Sequence, residues 1–242
     1  MIEYLKPDWT APANVRAFTT TRKGGFSQGR WSSLNLGGNS GDDPQHIEQN
    51  LRLLQTSLPS APCWLNQVHG ANVAKLNGHT SPETGADAAT SNVAGQVCAI
   101  LSADCLPVLF CDRSGTRVAA AHAGWRGLAA GVLEATVAAM GCHPGDLMAW
   151  LGPAIGPRAF EVGEDVFETF AGADSGNLAA FKRHGNRWLA DLYQLARIKL
   201  AKTGLEQVTG GEQCTFTDNC RFFSYRRDGL TGRMASVIWL TV

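Results

Sequence analysis

Hydrophobic and polar positions along this chain follow two periods, and these periods predict where strands and helices lie. The alternating run at 15–21 predicts a strand, which a turn at Gly24 and Gly25 closes. Other short apolar runs predict further strands at 63–68, 71–76, 97–102, 107–111, 117–122, 148–151 and 234–242. The strands come singly and in pairs among only a few helices, which argues against a strict alternation of parallel strands and helices.

Three segments have the spacing of amphipathic helices. The first is predicted to begin at Pro44, because proline fits the first turn of a helix. Its apolar face carries Ile47, Leu51, Leu54 and Leu58. A second helix is predicted from about 126 to 140, ending at Gly141, and a third is capped by Asp191 and ends near Gly204.

The length and continuity of the pattern indicate a single domain. With 242 residues the chain can bury a large core. No linker, low-complexity run or internal repeat interrupts the predicted elements. We therefore expect residues 1–242 to form one domain of mixed α/β (α+β) class, with helices covering sheets.

Composition narrows the class of partner. Lys and Arg together number 21, as do Asp and Glu, so no charge excess points to nucleic acid or an anionic membrane. No apolar run is long enough to span a bilayer, and the first residues lack the order of a signal peptide. The seven cysteines include no CxxC pair, which argues against a disulfide framework. We expect a cytoplasmic protein that is a monomer or a weak homo-oligomer.

Three side chains that carry chemistry share one setting, the end of an apolar strand. His69, Cys105 and His122 each follow such a strand and precede a glycine or a turn containing proline. Loops at strand ends are where scaffolds present functional groups. The three lie too far apart for a local motif, so only the fold could bring them together. Two imidazoles and one thiolate would then suit Zn²⁺, with the fourth tetrahedral position open.

The segment after His122 suggests where an anion would bind. The strand breaks at Gly124 and Gly127 and continues as an alanine-rich helix. The free N–H groups and the positive dipole end of a helix N-terminus favour an anion. We therefore expect the anionic group of a substrate at this helix start, beside the imidazole of His122.

Two other chemistries would use the same residues. Cys105 could be a nucleophile, with His122 or His69 as its base and Asp104 or Gln67 as the orienting group. Copper also binds histidine and cysteine. A multicopper oxidase, however, needs many more ligands than the six histidines of this chain supply, so copper oxidation is the less supported alternative.

A second group of polar residues predicts substrate binding. Its members are Arg22, Asn35, Gln67, Arg126 and Arg226. Arg22 and Asn35 lie near glycine turns whose donors could hold phosphate or ribose, Arg126 begins the helix after His122, and Arg226 follows a run of aromatic residues. Guanidinium groups suit phosphate, and aromatic faces suit a base. No P-loop and no GxGxxG motif is present, which disfavours nucleoside triphosphate and dinucleotide folds.

Six motifs together resemble a known family. They are Asn-Gln-Val-His-Gly at 66–70, Ala-Asp-Cys-Leu-Pro-Val-Leu-Phe at 103–110, Ala-His-Ala-Gly-Trp-Arg-Gly at 121–127, Gly-Pro-Ala-Ile-Gly-Pro at 152–157, Phe-Phe-Ser-Tyr-Arg-Arg-Asp-Gly at 222–229 and Thr-Gly-Arg-Met at 231–234. In these motifs the chain resembles the bacterial YfiH family over nearly its whole length. Members of that family are also called laccase-domain or polyphenol oxidase proteins, and peptidoglycan editing factors.

The resemblance implies a fold, a metal and a reaction. The implied fold is a single α/β/β/α layered domain, and the implied zinc ligands fall on His69, Cys105 and His122. The implied substrates are purine nucleosides and phosphate. The implied reactions are phosphorolysis of adenosine, inosine, guanosine or methylthioadenosine, and deamination of adenosine. One departure is that many members have a cysteine after the Gly-Pro-Ala-Ile-Gly-Pro loop, where this chain has Arg158 and Ala159.

The catalytic roles are a hypothesis about mechanism that goes beyond the ligands implied by the resemblance. Cys105, His122 and Asp104 are the predicted catalytic residues. The HxE and PCxxC signature of zinc deaminases is absent, so proton transfer would fall to Asp104 or to a water oriented by Gln67. Peptidoglycan editing would instead make the substrate a muropeptide or its nucleotide precursor, with Cys105 as a hydrolytic nucleophile or with zinc as the catalyst.

Overall fold

A computed structural model of the chain describes residues 2–76 and 85–241. The helices are α1 Pro44–Gln55, α2 Trp125–Ala130, α3 Val132–Met140, α4 Glu164–Ala173, α5 Leu192–Thr203 and α6 Tyr225–Asp228. The strands are β1 Tyr4–Leu5, β2 Val15–Thr20, β3 Cys63–Trp64, β4 Val73–Leu76, β5 Ala88–Ser91, β6 Cys98–Ser102, β7 Leu106–Asp112, β8 Val118–Ala123, β9 Leu147–Leu151, β10 Glu161–Val162, β11 Phe181–His184, β12 Arg187–Ala190, β13 Gln207–Gly210 and β14 Met234–Leu240.

The described strands form two large sheets and one small one. The five-stranded sheet has the order β1-β2-β14-β6-β3, and the six-stranded sheet has the order β13-β9-β7-β8-β5-β4. A separate three-stranded sheet, β10-β12-β11, packs beside α4. Most neighbouring strands are antiparallel, while the pairs β3/β6, β4/β5 and β9/β13 are parallel. Both large sheets are therefore mixed.

The two large sheets pack face to face. Leu109 and Val118 of the six-stranded sheet share one buried cluster with Ile100 and Ile238 of the five-stranded sheet. Successive side chains of a strand point to opposite faces, so residues one position along face away from this inter-sheet core. All seven residues of β7 are buried because both of its faces are covered.

Helices cover the outer faces of the two sheets. Val108 and Phe110 of β7 pack with Leu133 of α3 in a second cluster. On the far side, Val237 of β14 packs with Leu54 of α1. The order of layers is thus helix, sheet, sheet, helix, which confirms the predicted α/β/β/α arrangement and the mixed α/β class.

Local signals placed two of the three predicted helices correctly. The Asp43 side chain accepts a hydrogen bond from the Gln45 N–H at 2.8 Å, and Pro44 follows it at the first helical position. Asp191 caps α5, which ends at Gly204 in a left-handed conformation. The predicted single helix over 126–140 is wrong, because Gly131 at φ 90° divides it into α2 and α3.

Short or polar strands escaped prediction. The predicted strand 63–68 shrinks to β3, because Gln67 leaves the ladder and binds the backbone of Leu101 through its side chain. β5 is built from small and polar residues, and its burial follows only from its place between β4 and β8. β10 to β13 and helices α4 and α6 were also missed. The last position of the predicted strand 234–242 lies outside the described residues.

Two broader expectations can be compared with the structure. All seven cysteines lie in the described residues, and none of them forms a disulfide bond. Within residues 2–76 and 85–241, no helix has the length and apolarity needed to cross a membrane.

Candidate metal and substrate site

The three predicted metal ligands meet at one edge of the paired sheets. His69 lies in the loop after β3, Cys105 in the turn between β6 and β7, and His122 near the end of β8. One ligand atom from each residue lies within 4.8 Å of the other two. The antiparallel pairing of β7 with β8, which sets Pro107 opposite His122, brings the second and third ligands together.

The backbone around the ligands has unusual conformations. His69 has a φ of 60°, and Asp104, just before Cys105, has a φ of 92°. Residues other than glycine rarely adopt such positive φ values. Close approach also explains Gly124. A Cβ there would lie 2.9 Å from the Cys105 sulfur and 3.1 Å from Cδ2 of His69, so a side chain would displace both. The glycine after His122 thus keeps space for the ligand set, besides capping α2.

The distances fit a tetrahedral metal. The Cys105 sulfur lies 3.8 Å from Nε2 of His69, and the two histidine rings meet edge to face at 4.8 Å between centroids. Zn–S and Zn–N bonds of about 2.3 and 2.0 Å place tetrahedral N and S ligands about 3.5 Å apart. A small inward movement of the side chains would complete such a set. Two imidazoles and a thiolate are also the soft donors that zinc and copper prefer.

A buried aspartate orients the ligands, and sequence reasoning missed it. Asp87 is fully buried at the start of β5, and its Oδ1 lies 2.8 Å from Nδ1 of His122. Its two oxygens also accept the backbone N–H groups of Val68, His69 and Gly70 at 2.7–3.1 Å. One carboxylate therefore fixes the His69 loop and leaves Nε2 of His122 to face the other ligands. Histidines that bind metals commonly have such a carboxylate partner.

The charges of this group stabilise one another. Burial disfavours a thiolate, yet the positive charge of His122 and hydrogen bonds from both histidines outweigh it and lower the pKa of Cys105 to about 6. Burial likewise opposes the imidazolium, but Cys105 and Asp87 raise the pKa of His122 to about 9. The pKa of the Asp87 carboxyl is lowered, because bonds from His122 and backbone amides outweigh its burial. The thiolate is thus the favoured form of Cys105 at neutral pH, as metal binding requires.

Asp104 serves a different network from Asp87. Its Oδ1 accepts the Thr215 hydroxyl at 2.6 Å, and its Oδ2 accepts the Ser224 hydroxyl at 3.0 Å and the Arg226 N–H at 2.7 Å. The Asp104 carbonyl accepts the N–H of Ile155 in the Gly-Pro-Ala-Ile-Gly-Pro loop. This carboxylate thus holds separate chain segments beside Cys105. Its oxygens are occupied, so the geometry favours positioning over the predicted proton transfer.

The three ligands line a cavity of about 570 Å³. This volume lies within the range of about 300–1,000 Å³ that small-molecule sites occupy. The aromatic residues on its wall are Trp125, Phe160 and Tyr225, and the arginines are Arg126, Arg226 and Arg233. Asp104 contributes the one carboxylate among the described lining residues. The wall therefore combines ring faces with positive charge, which suits an aromatic, anionic or phosphate-dependent substrate.

Three of the five predicted substrate-binding residues reach this cavity. Gln67, Arg126 and Arg226 line it. The side chain of Gln67 is held by two hydrogen bonds of 2.8 Å to the backbone of Leu101. The Arg126 guanidinium lies 4.3 Å from the Trp125 ring, and within the described chain it has no carboxylate or carbonyl partner. Arg226 donates to the Glu161 carbonyl at 2.7 Å.

Arg22 and Asn35 do not line the cavity. The Arg22 guanidinium donates to the carbonyls of Ser32 and Asn219 at 2.8 and 3.1 Å, which gives it a structural role. Asn35 is fully buried, and its Oδ1 accepts the N–H groups of Gly37 and Arg233 at 2.9 Å each. Glycine turns with polar side chains suggested substrate contact for both residues, but intramolecular hydrogen bonds use their polar groups.

Sequence reasoning also missed Ser102, Phe160 and Arg233 on the cavity wall. The signal for Asp87 was a single acid among small residues in Gly-Ala-Asp-Ala-Ala at 85–89. An unpaired acid at the edge of a small-residue strand suggests a buried carboxylate with specific partners. Phe160 lies in a loop without a recognised motif, and Arg233 belongs to the Thr-Gly-Arg-Met motif, which carries no signal for substrate contact by itself. Only the tertiary structure brings the two residues to the site.

The chain is similar to known proteins over almost its whole length. The family model described as multi-copper polyphenol oxidoreductase laccase matches residues 16–241. The chain is 56% identical over 242 residues to purine nucleoside phosphorylase YfiH of Escherichia coli, covering 99% of this chain and 100% of that protein. It is 55% identical to a purine nucleoside phosphorylase of Pseudomonas aeruginosa, covering 99% of each chain.

Solved structures share the fold. A Neisseria meningitidis protein aligns with a TM-score of 0.93 at 50% identity, covering 99% of each chain. YlmD from Geobacillus stearothermophilus aligns with a TM-score of 0.92 at 30% identity, covering 99% of this chain and 96% of that one. With a family model that spans almost the whole sequence and relatives above half identity, the chain belongs to the YfiH family of laccase-like proteins.

Proposed function

We propose that this chain is a zinc-dependent purine nucleoside phosphorylase that also deaminates adenosine. The observation that carries the proposal is the convergence of His69, Cys105 and His122 on a cavity lined by arginines and aromatic rings. Two relatives that are 56% and 55% identical bear the name purine nucleoside phosphorylase. Support for zinc comes from the donor set and from the small number of histidines available for several copper centres.

The ligand residues are prepared for a metal. When bound to three protein ligands, Zn²⁺ supplies a Lewis acid with one position open to water or substrate. Asp87 accepts a hydrogen bond from the Nδ1–H group of His122, which directs Nε2 of that ring towards the site. The same carboxylate holds the amide of His69, so the loop that carries the first ligand is preorganised.

The other residues of the cavity wall suit the purine base and the phosphate of the proposed reaction. Phe160, Trp125 and Tyr225 offer ring faces for a purine base. In phosphorolysis a phosphate oxygen forms a bond to C1′ of the ribose, the bond from C1′ to the purine nitrogen breaks, and the base leaves with a proton. The sugar develops positive charge in the transition state, so the enzyme must place phosphate close to it. Arginine guanidinium groups on the cavity wall suit that anion.

Deamination is expected to be the slower activity. It requires proton transfer to the leaving ammonia, for which zinc deaminases use a free glutamate. Among the described lining residues the carboxylate is that of Asp104, and hydroxyl groups and an amide already bind it. Water that reaches the cavity would have to carry the proton instead.

The central experiment is incubation of purified protein with adenosine, with and without phosphate, followed by chromatography. Release of adenine that depends on phosphate is expected, with inosine as a minor product. His122→Ala should lose both bound zinc and adenine release, because it removes one of three ligands. His143→Ala is the matched control, since that histidine lies in a surface turn. Full adenine release by metal-free protein would contradict the proposal.

A second candidate is a cysteine-dependent hydrolase acting on peptidoglycan precursors. It is favoured by the line of contacts from Cys105 through His122 to Asp87, which resembles a nucleophile, base and orienting acid. The orienting group is then Asp87, not Asp104 or Gln67. Purified protein without metal would be alkylated at Cys105 with a midpoint near pH 6, following the lowered pKa. Muropeptide cleavage that survives chelation and disappears on alkylation would favour this candidate over the phosphorylase.

A further inference from the structure

One wall of the cavity contains a buried hydroxyl group that the fold leaves without a partner. Ser102 closes β6, lines the cavity and is only 2% exposed. Its Oγ has no hydrogen-bond partner among the described residues. A buried polar atom of this kind costs free energy, commonly about 1–3 kcal/mol. A polar atom that is unsatisfied at the wall of a ligand cavity points to a ligand that would satisfy it.

The same wall contains a guanidinium group that forms no ion pair with a carboxylate among the described residues. The Arg233 Nη1 donates to the carbonyls of Thr231 and Gly232 at 2.9 and 3.0 Å, which fixes the side chain. Within the described residues no carboxylate forms an ion pair with it. Burial lowers the pKa of Arg233, and the negative charges of Cys105 and Asp104 nearby oppose this shift only in part. Arg233 is therefore a partly buried cation that is held in place without a direct carboxylate partner among the described residues.

Asn35 joins this arginine to a glycine-rich segment of the cavity wall. Its Oδ1 accepts the N–H groups of both Gly37 and Arg233 at 2.9 Å. A Cβ at Gly37 would lie 2.7 Å from Cγ of Arg233, so only glycine lets the arginine stem pass so closely. Residues 37–40 also line the cavity. Asn35 does not line the cavity itself, but it holds two groups that do.

We propose that Ser102 and Arg233 bind inorganic phosphate, the second substrate of the reaction, beside the Cys105 metal ligand. The inference rests on the proposed phosphorylase function and assigns the phosphate subsite within it. A tetrahedral oxyanion would take hydrogen bonds from the hydroxyl group and from the free edge of the guanidinium, and would neutralise the charge of Arg233. The bound phosphate oxygen would then bond to C1′ as the base departs.

This subsite differs from the anion position expected at the helix start after His122. α2 has only six residues, and Gly131 ends it. The two arginines on that side have contacts within the chain, as Arg233 does, and Arg226 donates Nη1 to the Glu161 carbonyl. Arg126 stacks on Trp125, and no buried unpartnered hydroxyl group among the described residues accompanies it. The cavity wall at Ser102 and Arg233 combines an unpartnered hydroxyl group with a guanidinium group, and both can donate hydrogen bonds to an oxyanion.

The test is a calorimetric titration of the zinc-loaded protein with inorganic phosphate. Ser102→Ala removes a hydroxyl group that forms no bond inside the protein, so folding should be unaffected. It should raise the Kd for phosphate about tenfold, and Arg233→Gln should raise it further, because hydrogen bonds to charged groups are the stronger ones. Thr209→Val is the matched control. It deletes another buried hydroxyl group without a partner, on β13 and away from the cavity, and should leave the Kd unchanged.

Kinetics separate this subsite from the base-binding wall. In Ser102→Ala the KM for phosphate should rise while the KM for adenosine stays the same. An unchanged phosphate Kd in both Ser102→Ala and Arg233→Gln would overturn the proposal, as would loss of phosphate binding in Arg126→Gln alone. Adenosine 5′-monophosphate distinguishes free phosphate from phosphate carried by a nucleotide. Binding of the nucleotide that depends on Arg233, without binding of free phosphate, would overturn the assignment to the second substrate.

Failure of the phosphate subsite and failure of the phosphorylase function give different experimental results. If the wild-type protein releases no adenine, the proposed function fails. The phosphate titration of wild-type protein and Ser102→Ala still decides whether this wall binds the oxyanion. Conversely, phosphate-dependent adenine release with an unaltered phosphate KM in both variants would retain the function and overturn the subsite.

Discussion

Two buried aspartates at the edge of the sheets have similar surroundings and different tasks. Asp87 accepts three backbone amides and the Nδ1 of His122, and Asp104 accepts two hydroxyl groups and one backbone amide. Asp104 is the neighbour of Cys105 in sequence, yet its carboxylate serves loops around the site. Asp87 is distant in sequence from the ligand that it orients. Position along the chain was therefore a poor guide to which acid acts on the metal ligands.

The difference teaches how the site is kept rigid. Both carboxylates satisfy N–H or hydroxyl groups of irregular backbone, which would otherwise be buried without partners. Only the Asp87 network includes a predicted metal ligand, so a substitution of Asp87 should lower metal affinity as well as stability. A substitution of Asp104 should lower the stability of the fold and leave metal affinity unchanged. Matched Asp→Asn substitutions test this contrast, because Asn keeps the shape of the side chain and removes its charge.

The largest effect is expected for Asp87→Asn. The amide nitrogen that replaces one oxygen cannot accept a hydrogen bond, so backbone amides of residues 68–70 or Nδ1 of His122 lose a partner. Loss of a buried acceptor and charge should lower the free energy of unfolding by about 3 kcal/mol, and zinc affinity should fall about 10- to 100-fold. Urea unfolding and zinc titration measure the two quantities. Wild-type zinc affinity in this variant would contradict the orienting role.

A smaller effect, confined to stability, is expected for Asp104→Asn. The substitution leaves one of the donors from Thr215, Ser224 and Arg226 facing an amide NH₂, at a cost of about 2 kcal/mol. Zinc stoichiometry and affinity should match those of the wild type. If zinc affinity fell as far as in Asp87→Asn, the proposed separation between the two networks would be wrong.

The smallest effect is expected for Arg22→Gln, outside both networks. Its guanidinium binds carbonyls of Ser32 and Asn219 on the surface, so stability should fall by no more than about 1 kcal/mol. The KM values for adenosine and phosphate should not change, since Arg22 does not line the cavity. A rise of several-fold in either KM would restore the role that its glycine turn first suggested.

Much of the fold was predictable from the sequence because strong local signals agreed with the tertiary environment. Long apolar runs became β7, β8 and β14, whose residues are all buried. Proline and aspartate placed the starts of α1 and α5. Weak signals failed where tertiary contacts decide, as in β5 and the strands β10 to β13. A short polar segment becomes a strand when a neighbouring strand offers backbone hydrogen bonds.

The candidate site divides in the same way. His69, Cys105 and His122 were predictable, because each ends an apolar run and the resemblance to the YfiH family falls on all three. Their convergence within 4.8 Å agrees with that prediction. The supporting acid and the residues proposed to bind phosphate were not predictable. Asp87, Ser102 and Arg233 belong to separate segments that only strand pairing and loop packing bring to one place.

The sequence by itself determined the class of elements, the apolar faces that pair the two sheets, and the residue types available as metal ligands. These properties depend on local periodicity and on side-chain chemistry. Only the tertiary structure decided which aspartate contacts a predicted ligand, which arginine has no carboxylate ion pair among the described residues, and which hydroxyl group there is buried without a partner. Such properties depend on distances and solvent exclusion between segments far apart in the chain, and local sequence does not encode them.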